Sequence, residues 1–163
     1  MIEREGARRC ARFENDQAAT MGDQTTNPGL DALVAAARAA QVRAYAPYSG
    51  FKVGAALRAA DGTIHAGCNV ENAAFPQGQC AEATALGVMV ASGARAIAEI
   101  LVVADGPETV TPCGGCRQRL VEFADPATPV HLAGPEGVRA TVTLGELLPR
   151  AFGWRQVEPE DKS

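Results

Sequence analysis

Apolar residues recur three and four positions apart at Leu30, Leu33, Val34 and Ala37, the spacing of one helix face. Asn27-Pro28 stands before them as a start signal, an N-cap residue followed by proline at the first helical position. Pro47 bars continuation, so the pattern predicts a helix from residue 28 to about 45. Residues 51–57 alternate loosely, Asp61-Gly62 is a turn pair, and 63–70 form the returning strand of a hairpin. Residues 80–90 read as a helix with Gly93 at its C-terminal end. Residues 97–104 are a nearly unbroken apolar run, as expected for a buried strand. Residues 113–123 read as a helix and 129–132 as a short strand. Thr143 with Glu146 forms a capping box for a last short helix. This order implies an α/β fold, a three-layer α/β/α sandwich on a mixed, roughly five-stranded sheet. Two helix starts, near Cys80 and Cys113, follow strand ends, where ligands collect in such sheets.

Residues 1–27 are polar and lack lasting periodicity. They read as a mobile tail, with Met21 a candidate true start. The folded domain is expected over 28–155, with a short tail over 156–163. At 163 residues, 47% of them hydrophobic and 21% charged, the chain suits one globular domain. Its formal net charge of −4 argues against a broad nucleic-acid footprint, which needs a basic face. No apolar run reaches membrane-spanning length. The charged stretch from Glu3 to Arg12 has no apolar signal-peptide core, so a cytoplasmic location is expected.

Five cysteines, an odd number, point to metal or catalytic chemistry before disulfides. Cys113-x-x-Cys116 at a helix start lets two thiolates converge on one metal, and the helix dipole there lowers thiol pKa values. Cys80 can add a third sulfur. Three protein ligands leave the fourth tetrahedral position open, which is the layout of a catalytic zinc site. Glu82, two residues after Cys80, can project into such a site without ligating and serve as proton carrier. A Cys-x-x-Cys pair alone also fits a redox pair or half a zinc ribbon. The ribbon lacks its second pair, and the redox pair leaves Cys80 and Glu82 without a task. Cys68 reads as a small buried hydrophobe and Cys10 as a free thiol. His65 and His131 read as structural or surface residues.

From about Leu30 to Gly153 the chain resembles the small zinc-dependent cytidine deaminases of homotetrameric type. The resemblance rests on Ala46-Pro47-Tyr48-Ser49, Phe51-Lys52-Val53-Gly54-Ala55-Ala56, Gly67-Cys68-Asn69-Val70-Glu71-Asn72-Ala73, Cys80-Ala81-Glu82, Pro112-Cys113-Gly114-Gly115-Cys116-Arg117-Gln118 and Glu146-Leu147-Leu148-Pro149. It implies one Zn²⁺ per subunit on Cys80, Cys113 and Cys116, and Glu82 as proton shuttle. It also implies Phe51 stacked on the pyrimidine, the Ala81 backbone at the base carbonyl, and Asn69 with Glu71 on the ribose 3′-hydroxyl. The resemblance further implies a homotetramer in which each site is completed by a neighbouring subunit. Two positions depart from the family pattern. Ala83 stands where arginine commonly follows the glutamate, and Ala74-Phe75 where Cys-Tyr is common. Arg117 is the candidate cation near the thiolates that compensates for Ala83.

The implied activity is hydrolytic deamination of free cytidine or deoxycytidine to the uracil nucleoside and ammonia, in pyrimidine salvage. A deaminase of a modified nucleoside such as blasticidin S is the nearest alternative. Polynucleotide editing would need a basic channel. A non-catalytic zinc module would have no use for Glu82.

Overall fold

A computed structural model describes residues 28–153. The expected tails, Cys10, Met21 and the Asn27 cap lie outside these residues.

Helix α1 (Pro28–Val42) buries Leu33, Ala37 and Gln41, one residue per turn along a single face. It ends three residues short of the expected boundary because Tyr45 is drawn into pairing elsewhere. The Tyr45 amide donates to Asn69 O at 3.1 Å, and its carbonyl accepts from Glu71 N at 2.8 Å. The hairpin follows as β1 (Val53–Ala59) and β2 (Ile64–Cys68). At its turn Asp61 Oδ1 accepts from the Thr63 amide at 2.9 Å. Then come α2 (Ala81–Ala91), β3 (Ile97–Ala104), α3 (Gly114–Val121), β4 (Pro129–Gly134), β5 (Gly137–Thr143) and α4 (Leu144–Leu147). The capping box at Thr143 is closed in both directions, to and from Glu146.

The sheet has the order β2-β1-β3-β4-β5. β3 and β4 run parallel, and the other neighbouring pairs are antiparallel. β5 is the strand the sequence pattern did not locate. It is an edge strand with no fully buried residue, so it carries no clean inside–outside alternation.

Alternation along the inner strands divides the core. Ala56, Leu101, Val103 and Ala133 pack beneath α1. Ala55, Leu57, Ile100, Val102, Val130 and Leu132 face Ala81, Ala85 and Met89 of α2, Leu120 of α3 and Leu144 of α4. The result is the expected three layers. Gly67 sets how closely α2 lies on the sheet. A β-carbon there would overlap the Ala85 amide and come within 2.8 Å of Ala81 O, so only glycine lets the first turn of α2 rest on β2. His65 and His131 are both buried in the sheet, hydrogen-bonded to Thr63 and Thr141 at 2.9 Å. No helix among the described residues is long and apolar enough to cross a membrane.

Candidate active site

Cys80 and Cys113 occupy the N-cap positions of α2 and α3, both in extended conformation. Cys116 lies in the first turn of α3 and is fully buried. The three sulfurs all lie within 4.8 Å of one another, with Cys80 Sγ and Cys113 Sγ 3.7 Å apart. Two-way backbone pairing of Val70 with Gln79, at 2.8 Å in each direction, ties the approach to Cys80 against the segment carrying Asn69 and Glu71. Thr84 reinforces the joint. Its hydroxyl accepts from Gln79 Nε2 at 3.0 Å and lies 3.0 Å from Cys68 O and 3.3 Å from Cys80 O. Cys68 takes no part in the sulfur cluster.

Glu82 sits in the first turn of α2 and is 4% exposed. Burial pushes its carboxyl above the ordinary range. Burial likewise drives the Cys116 thiol far up, with repulsion from Glu82 and Cys80 adding to it. The Cys80 thiol is raised by burial and by Cys113. At Cys113 burial acts upward, but the backbone and thiol of Cys116 and the thiol of Cys80 outweigh it, and the net shift is downward. Among the described residues no basic side chain pairs with any of these four groups. Three soft donors gathered this closely beside a buried carboxylate suit a compact divalent cation. Three convergent sulfurs with a non-ligating acid fit one zinc ion per chain.

Cys80, Cys113 and Glu82 line a cavity of about 320 Å³. Phe51, Asn69, Glu71 and Ala81 line it as well, so this volume suits a small molecule and gathers the residues expected to bind substrate. Phe51 is 45% exposed, which leaves ring surface open to the cavity. Val102, Val110 and Thr111 complete the wall. They carry no motif, and only the fold brings them there.

Arg117 is not among the cavity residues. Its guanidinium donates through Nε to Pro112 O at 2.7 Å, through one terminal nitrogen to Leu147 O at 2.7 Å, and through the other to Thr111 Oγ1 at 2.9 Å. The expected cation beside the thiolates instead fastens the Thr111–Pro112 approach to Cys113 onto the end of α4. Among the described residues no hydrogen bond links the Arg117 guanidinium to a cysteine sulfur.

Residues 29–132 match the family described as the cytidine and deoxycytidylate deaminase zinc-binding region. A cytidine deaminase of Sporosarcina psychrophila is 46% identical over 123 residues, which span 76% of this chain and 90% of that protein. One from Halalkalibacterium halodurans is 44% identical over 120 residues, 74% of this chain and 91% of that one. The crystal structure of a cytidine deaminase from Burkholderia pseudomallei is similar with a TM-score of 0.70 at 47% identity, covering 75% of this chain and 98% of that one. With the match running through both cysteine segments and the sheet between them, the chain belongs to the cytidine and deoxycytidylate deaminase zinc-binding family.

Proposed function

We propose that this protein hydrolytically deaminates free cytidine and deoxycytidine, giving uridine or deoxyuridine and ammonia. The observation that carries the reading is one cavity lined by Cys80, Cys113 and Glu82 together with Phe51, Asn69 and Glu71. When bound by Cys80, Cys113 and Cys116, zinc supplies Lewis-acid activation of a water molecule. Glu82 accepts a proton from the attacking water and delivers one to N3 of the ring as the C4–O bond forms. It then takes the proton of the new C4 hydroxyl and passes it to the amine as the C4–N bond breaks, so that water and cytidine become uridine and ammonia. The Phe51 face holds the planar base, and the Ala81 backbone meets its carbonyl. Asn69 and Glu71 take the 3′-hydroxyl.

This placement favours nucleosides over polynucleotides. Hydrogen bonds from Ser49 and from the Tyr48 and Ser49 amides hold the Glu71 carboxyl below its usual range, so it is ionised at neutral pH. A 3′-phosphate would meet that charge head on. The test is ultraviolet assay of the zinc-loaded protein with cytidine, deoxycytidine, blasticidin S and a short cytosine-containing single-stranded DNA. Turnover of the two nucleosides alone is expected. Comparable rates on the DNA strand, or preference for blasticidin S, would overturn the reading.

We also assign a homotetramer and a cytoplasmic location. Three thiols that must stay reduced to hold metal suit a reducing compartment. Support for assembly comes from aromatic surface beside the cavity. Phe75 is 78% exposed, and its ring meets that of Tyr48 edge-to-face at 6.3 Å. The two rings line a second hollow of about 300 Å³ that shares Glu71 and Gly78 with the first. Apolar surface rimming a site in this way is typical of an interface. Light scattering is expected to give four times the chain mass, and a fully active monomer would refute the assignment.

A further inference from the structure

The backbone around Phe51 belongs to no regular element, since β1 begins at Val53. Its polar groups are held by side chains from the opposite segment. The Phe51 carbonyl accepts from Asn69 Nδ2 at 2.9 Å, and the Val53 amide donates to Asn69 Oδ1 at 2.8 Å. The Phe51 amide donates to Ser49 Oγ at 2.9 Å, and that hydroxyl donates in turn to Glu71 Oε1. Glu71 Oε2 accepts from the Tyr48 amide at 2.8 Å and the Ser49 amide at 3.2 Å. Gly50, at φ 69°, turns the chain so that Ser49 can reach both partners.

A hydroxyl has one proton and two lone pairs. At Ser49 the proton is committed to Glu71 and one lone pair to Phe51. Because the acceptor is a carboxylate, the first bond is strong, and it polarises the oxygen toward the second. A carboxylate offers about four acceptor sites. Three donors from residues 48 and 49 already occupy Glu71, which leaves room for roughly one more. Asn69 retains one donor hydrogen and one acceptor site after its two backbone bonds. Together these residues present the complement of a single hydroxyl group.

We propose that Ser49 is a positioning residue that couples the base platform at Phe51 to the sugar acceptor at Glu71 and thereby sets the preference for a free 3′-hydroxyl. This rests on the roles given to Phe51 and Glu71 above. Without Oγ, Glu71 regains an empty acceptor site and can swing. The Phe51 amide loses its partner, and the spacing between base and sugar is no longer held. The loss falls on binding, so KM should move more than kcat.

The experiment compares cytidine with 3′-deoxycytidine as substrates of the wild type, Ser49→Ala and Ser49→Thr, all with measured zinc content. The wild type should favour cytidine in kcat/KM. In Ser49→Ala that preference should shrink about tenfold, the usual scale of one charge-assisted hydrogen bond, through a higher KM for cytidine at unchanged zinc content. Ser49→Thr keeps the hydroxyl in an exposed position with room for the extra methyl, and should restore the preference. The proposal fails if Ser49→Ala slows both substrates equally, or if Ser49→Thr is no better than Ser49→Ala. A wild type that turns over cytidine and 3′-deoxycytidine equally well would remove the sugar-binding roles of Asn69 and Glu71 themselves. One that turns over neither would remove the proposed function.

Discussion

Glu82→Gln is expected to keep the fold and the zinc and to lose turnover by at least about 10²–10⁴-fold, the usual range for a positioned general acid–base group. The loss should reach the top of that range, because in the proposed mechanism one carboxylate serves the attacking water, N3 and the leaving amine. The substitution is nearly isosteric, and the side chain is 4% exposed, so the amide stays where the carboxylate was. It holds a similar shape but cannot accept and return a proton. It also removes a charge that burial already disfavours, so the fold should not weaken. The measurement is kcat at saturating cytidine, set beside metal content and melting temperature for the same preparation. A zinc-loaded Gln variant with near wild-type kcat would show that the proton travels by another route.

Cys116→Ser should strip the metal. Cys116 is fully buried, and its thiol is driven so far up that only a cation at the sulfur can hold it as thiolate. Structural zinc sites bind with about 10–16 kcal/mol over four ligands, which is roughly 2.5–4 kcal/mol or about 10²–10³-fold in affinity per ligand. The purified variant should therefore carry little zinc and lose activity in proportion. Zinc release from the wild type to a chelator should abolish turnover, and added zinc should restore it. Arg117→Ala should fall between the two, with about 10–100-fold faster release, because it frees the Thr111–Pro112 approach without removing a ligand. Full zinc content and full activity in Cys116→Ser would take that sulfur out of the site.

Much of this site was legible because its key residues are also local structural signals. Cys80 and Cys113 stand at helix starts, where the end of an apolar run and the return of helical spacing are visible in one dimension. The nearly unbroken apolar run from Ile97 to Ala104 marked the central strand, and Thr143 with Glu146 marked the last helix start. The misreadings have physical causes. Tyr45 obeys a through-space pairing with Asn69 and Glu71 that no local pattern announces. The edge strand β5 has no buried face to generate a period of two. Arg117 stands beside a zinc cysteine in sequence, yet three carbonyl and hydroxyl oxygens claim its guanidinium, one of them 30 residues away at Leu147. Ser49 in a turn looks like any turn serine. Its meaning lies in Glu71, 22 residues on.

The two cysteine N-caps forgo a contact that the start of α4 makes. At Thr143 the chain uses the ordinary solution, a hydroxyl that accepts from the Glu146 amide while the Glu146 side chain answers. At positions 80 and 113 a thiol stands instead, and its sulfur is a weaker acceptor than a hydroxyl or carboxylate oxygen. Serine, threonine, asparagine or aspartate in those places would each stabilise a helix start by about 0.5–2 kcal/mol. Chemistry forbids that gain, because the same two positions must present thiols. A search for stabilising substitutions should therefore rank 80 and 113 among the most improvable positions for the fold, and they are closed to improvement. The enzyme stands below the stability its backbone could reach, by an amount set at two residues.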